Sequence, residues 1–226
     1  MVEVTDCCDH ACLHCYNDWR RPVGPGTPDG FVDLRPLLGE ILDQATVSDV
    51  TLTGGEPLLH PGLPDLVSFL DGRGVRVNVI TNGHRLDQVA CAELIDRGVA
   101  LFELPLLGYR REVHDRLSGS AGAFDAVLAA LAHVRTQRGH AAVVFVATRE
   151  NVDQIDGVLR LAHAFGVRGV LLNRFNPGCA DAAAVDGLMP GVDALARCLG
   201  RADEVAAELG LHVSCSSAIQ LCLIEL

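Results

Sequence analysis

Apolar residues follow two alternating patterns along this chain: short continuous runs, and longer segments with helical spacing. The short runs predict buried strands at 1–5, 50–53, 75–80, 99–104, 141–148 and 167–173. Between them, apolar residues recur every three or four positions, which predicts helices at 34–45, 63–70, 86–97, 123–137 and 152–165. Strands that alternate with helices of this length are typical of βαβ units. The pattern therefore predicts an α/β fold built on six parallel strands.

Composition narrows the class of protein. A chain of 226 residues with 49% hydrophobic content can bury one substantial core. The net charge of −11, with 18 Lys and Arg, argues against a nucleic-acid partner, which would need clustered positive charge. No apolar run approaches the length of a membrane span, so we expect no membrane association. Nine cysteines without a secretory signal predict a cytoplasmic protein in a reducing compartment.

Three cysteines near the start of the chain are spaced as Cys8-x3-Cys12-x2-Cys15, within a segment that we call the cysteine loop (residues 7–17). Thiolates select iron–sulfur clusters, zinc or copper(I) over harder ions. A four-iron cluster normally takes four cysteines, so three would leave one iron open to another ligand. A structural zinc site completed by His10 or His14 is the alternative, whereas a disulfide framework is disfavoured. Cys7 is out of register and is interpreted as a neighbour.

A second motif follows the predicted strand at 50–53, where the chain reads Gly54-Gly55-Glu56-Pro57. Two glycines at the end of a strand let the backbone approach a ligand closely. The glutamate adds a fixed charge at the same place. On its own this motif is also consistent with a simple turn into the next helix. Its position some forty residues after the cysteine loop favours the ligand-binding interpretation.

Taken together, three segments carry a resemblance to a known family: Cys8-x3-Cys12-x2-Cys15-Tyr16-Asn17, Thr53-Gly54-Gly55-Glu56-Pro57 and Thr81-Asn82-Gly83. They resemble the radical S-adenosylmethionine (radical SAM) enzymes, and most closely the branch that carries a C-terminal SPASM region with auxiliary clusters. The resemblance implies a partial (β/α)6 barrel with parallel strands. In such barrels, the loops after the strands carry the chemistry, and all three segments fall in such loops.

The resemblance also implies the cofactors and their ligands. Cys8, Cys12 and Cys15 would bind a [4Fe-4S] cluster whose open iron chelates S-adenosylmethionine. Reductive cleavage of S-adenosylmethionine would then give a 5′-deoxyadenosyl radical that abstracts hydrogen from a substrate. The electron would come from a donor such as flavodoxin or ferredoxin. The expected cofactor-binding residues are His14, Tyr16, Gly54, Gly55, Glu56, Thr81, Asn82 and Arg174.

The substrate is less well defined by the resemblance. Relatives with SPASM-type regions often modify ribosomally made peptides, so the expected substrate is such a peptide. Other relatives act on small metabolites. A small-metabolite enzyme is therefore the first alternative. A non-catalytic iron–sulfur or zinc-binding barrel fragment is the second.

This chain departs from the family pattern in two places. Many relatives have Ser-Leu-Asp-Gly at the end of the fourth strand, where the polar side chains meet the ribose, but here the residues are Pro105-Leu106-Leu107-Gly108. That contact is lost or is supplied elsewhere, with Glu103 as the candidate. Near the C-terminus, Cys215 and Cys222 resemble the opening of an auxiliary-cluster region. We therefore expect a barrel core at 1–209 and the start of an incomplete SPASM-like extension at 210–226.

Overall fold

The computed structural model describes residues 1–17, 19–23, 32–178 and 182–215. Its centre is one sheet of seven strands in which every neighbouring pair is parallel. The strands of this sheet, in chain order and in spatial order, are β1 (Val2–Glu3), β4 (Asp49–Thr53), β5 (Arg76–Ile80), β6 (Val99–Pro105), β7 (Ala141–Ala147), β8 (Gly169–Arg174) and β9 (His212–Ser214). A separate parallel pair is formed by β2 (Cys7–Cys8) and β3 (Arg21–Pro22).

Helices occupy most of the connections between these strands. They are α1 (Arg35–Gln44), α2 (Leu63–Asp71), α3 (Gln88–Asp96), α4 (Arg111–Ser118), α5 (Ala123–Thr136), α6 (Ile155–Ala164), α7 (Ala182–Leu188) and α8 (Val192–Leu209). Local sequence explains several of their ends. For example, the side chain of Asp87 accepts hydrogen bonds from the backbone of Val89 and Ala90, which starts α3.

The order of the strands places the helices on one face of the sheet. Each successive strand adds to the same edge, and crossovers between parallel strands are almost always right-handed, so the helices all cover one side. The alternation of buried and partly covered side chains along the strands agrees with helices on one face only. Val77 and Val79 of β5, and Phe102 and Leu104 of β6, are buried in the core, whereas Asn78 and Glu103 are only partly covered. The opposite face is thus the inner wall of a partial barrel.

The sequence-based prediction of an α/β fold with parallel strands is confirmed. All six predicted strands are present, within two residues of their expected bounds. The seventh strand, β9, pairs with β8 and was not expected, because three residues are too few to show a pattern. Helix α4 was also missed, since among its eight residues only Val113 and Leu117 form an apolar pair at helical spacing.

The predicted division of the chain after residue 209 stays a prediction. The described part of the expected extension, residues 210–215, contains β9, which belongs to the barrel sheet. Cys215 is exposed, and Cys222 lies outside the described residues.

Among the helices that the structure describes, none is long and apolar enough by itself to cross a membrane. Helices α4 and α5, which bend by 99° at the break between them, pass such a test of length and composition only as a pair.

Candidate functional site

The candidate residues lie at one edge of the sheet, most of them in loops, because the carboxyl ends of parallel strands all point the same way. The cysteine loop follows β1, and the Gly54-Gly55-Glu56 segment follows β4. Thr81 and Asn82 follow β5, and Arg174 is the last residue of β8. Direct contacts, rather than topology alone, bring most of these residues together.

The segment Gly54-Gly55-Glu56 is bonded to the start of the cysteine loop. The backbone N–H of Gly55 donates to the carbonyl of Thr5 and that of Glu56 donates to the carbonyl of Cys7, each at 2.7 Å. A Cβ on Gly54 would overlap the Thr5 carbonyl oxygen, and one on Gly55 would overlap the Cys7 carbonyl oxygen. The two glycines are therefore required by a close contact between two stretches of the chain itself. Their expected approach to a cofactor stays a prediction.

The side chain of Glu56 joins the two motifs. One carboxylate oxygen accepts from the Thr81 hydroxyl at 2.7 Å and from the Leu58 N–H at 3.0 Å. The other accepts from the Asn82 N–H at 2.8 Å. Glu56 is only 1% exposed, and this burial raises the pKa of its carboxyl to about 7, although the three hydrogen bonds act in the opposite direction.

Asn82 extends this connection to the cysteine loop. Its amide nitrogen donates to Asp9 at 2.8 Å, and its amide oxygen accepts from the backbone of His84. Asp9 in turn forms an ion pair with Arg85 at 3.1 Å. The ends of β4 and β5 and the cysteine loop are thus held together by a chain of hydrogen bonds that begins at Glu56.

The three cysteines predicted as ligands lie close to one another. Burial, together with the neighbouring Cys8 and Cys15, raises the pKa of Cys12 to about 12. Burial likewise raises the pKa of Cys8 to about 11. Thiolates grouped in a partly buried site need a positive group near them. A metal–sulfur core fits this requirement.

A single metal ion fits less well. Within the described part of the chain, no three His, Cys, Asp or Glu side chains are placed to hold one ion. Cysteines that bind different irons of a cluster need not converge on a single point. Cys7 has another role, because its thiol contacts Asp6 and its carbonyl accepts from Glu56.

Helix α4 supports the cysteine loop from the other side. The N–H of Leu13 donates to the carbonyl of Leu117 at 2.9 Å. Gly119, just after α4, has a φ of +60°, and a Cβ there would overlap the carbonyl oxygen of Ala11. Asp115 fixes the turn by accepting from the backbone of Gly122 and Phe124. The turn between α4 and α5 is thus a packing surface for the loop.

Several polar groups beside the cysteines are buried without a hydrogen-bond partner among the described residues. They are Nε2 of His10, Nδ1 of His14, both amide atoms of Asn17 and Nη1 of Arg20. Unpartnered buried polar groups are costly, so their concentration in and beside the cysteine loop indicates a ligand-binding region. Asn17 and Arg20 were not among the residues expected from the sequence. Asn17 lies within the recognised motif and Arg20 follows it closely, but neither shows from the sequence that it is buried.

The remaining predicted residues are placed at the margin of this region. Burial lowers the pKa of His14 to about 4. Tyr16 is exposed, and its backbone lies next to Gly178 in the loop after β8. Arg174 is exposed at the end of β8. On the inner wall of β6, burial raises the pKa of the Glu103 carboxyl.

Comparison with known proteins gives a consistent picture. A family model described as the Radical SAM superfamily matches residues 2–162. The mycofactocin maturase MftC of Mycolicibacterium smegmatis is 30% identical over 191 residues, which are 83% of this chain and 47% of that protein. The Fe-coproporphyrin III synthase of Methanosarcina barkeri is 27% identical over 161 residues, or 70% of this chain and 39% of that protein.

Solved structures share the fold at low sequence identity. SuiB of Streptococcus suis, bound to its precursor peptide SuiA, has a TM-score of 0.76 and 12% identity, covering 98% of this chain and 49% of SuiB. The protein anSMEcpe, with bound AdoMet and the Cp18Cys peptide, has a TM-score of 0.74 and 16% identity, covering 94% of this chain and 61% of that chain. The match thus spans less than half the length of each of the two curated relatives named above.

The burial of Glu56 predicts a pH-dependent contribution to stability. Its folded-state pKa of about 7 lies above the ordinary value of 4.5, so the folded state retains its proton while the unfolded chain loses it. The contribution is full below pH 4.5 and is lost as the pH rises to 7. Relative to Glu56→Gln, the wild type should lose up to about 3 kcal/mol of unfolding free energy between pH 4.5 and 8. Urea unfolding of both proteins across this pH range measures the difference. If the unfolding free energies of the two proteins changed in parallel with pH, the prediction would be wrong.

A matched pair of variants tests whether α4 positions the cysteine loop. Gly119 and Gly122 both have positive φ, but a Cβ on Gly122 meets no atom within 4 Å. Each change to Ala should cost about 1–2 kcal/mol of backbone strain. Gly119→Ala should also displace Ala11 and lower the iron bound after anaerobic reconstitution by at least half, whereas Gly122→Ala should bind normal amounts. Equal iron contents in the two variants would show that the contact with Ala11 does not matter.

Proposed function

Because the chain belongs to the radical SAM superfamily, we propose that its cysteine loop holds the [4Fe-4S] cluster and that the neighbouring strand-end loops hold S-adenosylmethionine. The family uses both cofactors. Two observations support the assignment to these residues. Cys8, Cys12 and Cys15 lie close to one another, and the loop that contains them accepts a hydrogen bond from the backbone N–H of Glu56. Bound together, the two cofactors supply one-electron cleavage of S-adenosylmethionine and hydrogen abstraction from a substrate.

The protein's own residues hold and orient these groups. Cys8, Cys12 and Cys15 are the cluster ligands, and the backbone contact between Glu56 and Cys7 fixes where the loop begins. The glutamate carboxylate is already occupied by three donors, so it orders the loops and leaves contact with the methionine end to the backbone of Gly54 and Gly55.

The other cofactor contacts come from the edges of the site. We assign His14 and Tyr16 to the adenine side, and Thr81, Asn82 and Arg174 to the remainder of the cofactor. Glu103 is the candidate for the ribose contact that Pro105 cannot provide, because its carboxylate lies on the inner wall of the same strand. The buried, unpartnered polar atoms of Asn17 make it a further candidate for cofactor binding.

The proposed substrate is a ribosomally made peptide. This proposal is supported by the maturase MftC among the relatives, and by structural neighbours that were determined with bound peptides. Action on a small metabolite is the second candidate, because the Fe-coproporphyrin III synthase is also a relative. We further propose a flavodoxin or ferredoxin as the electron donor and the cytoplasm as the location, since an iron–sulfur protein with free cysteines is best maintained under reducing conditions.

Cysteine variants test the ligand assignment. Cys12→Ala removes one of three ligands and should abolish both the absorbance of the reconstituted cluster and the formation of 5′-deoxyadenosine from S-adenosylmethionine under reducing, anaerobic conditions. Cys7→Ala should leave both largely intact, because the Cys7 thiol contacts Asp6. If Cys7→Ala alone removed the cluster, the register of the ligands would be wrong. A colourless wild-type protein that binds zinc would refute the proposed function itself.

A further inference from the structure

Arg20 is placed beside the cysteine loop by a small piece of sheet. It directly precedes β3, which pairs with β2 so that Arg21 lies opposite Cys7 and Pro22 lies opposite Cys8. Side chains alternate along a strand, so Arg20 is on the same side of this ribbon as Pro22 and Cys8. Two backbone hydrogen bonds hold the ribbon in register. The N–H of Arg21 donates to the carbonyl of Asp6, and the N–H of Val23 donates to the carbonyl of Cys8.

The guanidinium of Arg20 differs from that of its neighbour Arg21 in its charge environment. Arg21 forms an ion pair with Asp6 at 2.6 Å and is largely exposed. By contrast, Arg20 has no carboxylate partner within the part of the chain that the structure describes, and its Nη1 atom is buried without a hydrogen bond. A partly buried, unpaired cation is unfavourable unless an anionic group lies nearby.

The register of the ribbon places Arg20 near a predicted cluster ligand. Because Pro22 lies opposite Cys8, Arg20 is two residues from the position that pairs with this ligand. It lies on the same side of the ribbon as Cys8. Arg20 is therefore placed to act electrostatically on whatever the three thiolates bind.

We propose that Arg20 is the cationic partner of the cluster held by Cys8, Cys12 and Cys15, and that it raises the reduction potential of that cluster. The inference rests on the proposed function. Reduction adds one negative charge to a centre that already carries thiolates. A fixed positive charge nearby stabilises the reduced form more than the oxidised form. Arg20 thus makes the cluster easier to reduce.

The experiment compares two neighbouring arginines. Arg20→Gln and Arg21→Gln each remove one positive charge, and Arg20→Lys retains it. Each protein is reconstituted anaerobically, its iron and sulfide are counted, and the cluster is titrated with a chemical reductant without S-adenosylmethionine while the reduced form is followed by electron paramagnetic resonance. Arg20→Gln should reduce the ratio of reduced to oxidised cluster at a fixed potential about tenfold, or about 59 mV for one electron. Arg21→Gln and Arg20→Lys should stay near the wild type.

Other outcomes separate the possible explanations. Equal midpoints in Arg20→Gln and Arg21→Gln would overturn the role of Arg20 while leaving the cluster assignment intact. If Arg20→Gln kept its midpoint but bound S-adenosylmethionine more weakly, the cation would serve the cofactor carboxylate, and the proposal would be wrong. If Arg20→Gln failed to load a cluster, Arg20→Met would take its place, because it keeps an apolar stem. Failure of the wild type to load a cluster would instead refute the proposed function.

Discussion

The site depends on one buried carboxylate. Glu56 accepts hydrogen bonds from Thr81, Asn82 and Leu58, and its own N–H bonds to the carbonyl of Cys7. These contacts connect the ends of two neighbouring strands to the first residue of the cysteine loop. Because a buried carboxylate without donors would be very costly, the loops must adopt the arrangement that supplies them. The backbone N–H of Glu56 fixes where the cysteine loop begins.

Electrostatics at this edge of the barrel explains the rest of the arrangement. The three thiols, Glu56 and Asp9 are all acidic groups close together, and burial raises the pKa of Cys8, Cys12 and Glu56. Arg85 compensates the negative charge of Asp9 by forming an ion pair with it. Arg20 lies on the same side of the β2–β3 ribbon as Cys8 and has no carboxylate partner among the described residues. A site of this composition favours a positively charged metal–sulfur core and gives a nearby cation a role in its redox properties.

The sequence was sufficient for the fold and for the identity of the motifs, because strands such as β7 are continuous apolar runs and the cysteine spacing is specific. It could not show that Glu56 bonds to Thr81 and Asn82, which are 25 and 26 residues away. Nor could it show that Gly55 and Gly119 are required by contacts with Cys7 and Ala11. Such contacts depend on how loops pack in three dimensions. Helix α4, which supports the cysteine loop, was missed because its sequence is mostly polar.

We propose that three cysteines bind a four-iron cluster and leave one iron open to the cofactor. The decisive experiment is Mössbauer spectroscopy of protein reconstituted with iron-57, before and after addition of S-adenosylmethionine. We expect a [4Fe-4S] spectrum in which one iron in four changes its isomer shift when S-adenosylmethionine binds. A spectrum in which no iron responds to S-adenosylmethionine, or one without a four-iron cluster, would contradict it.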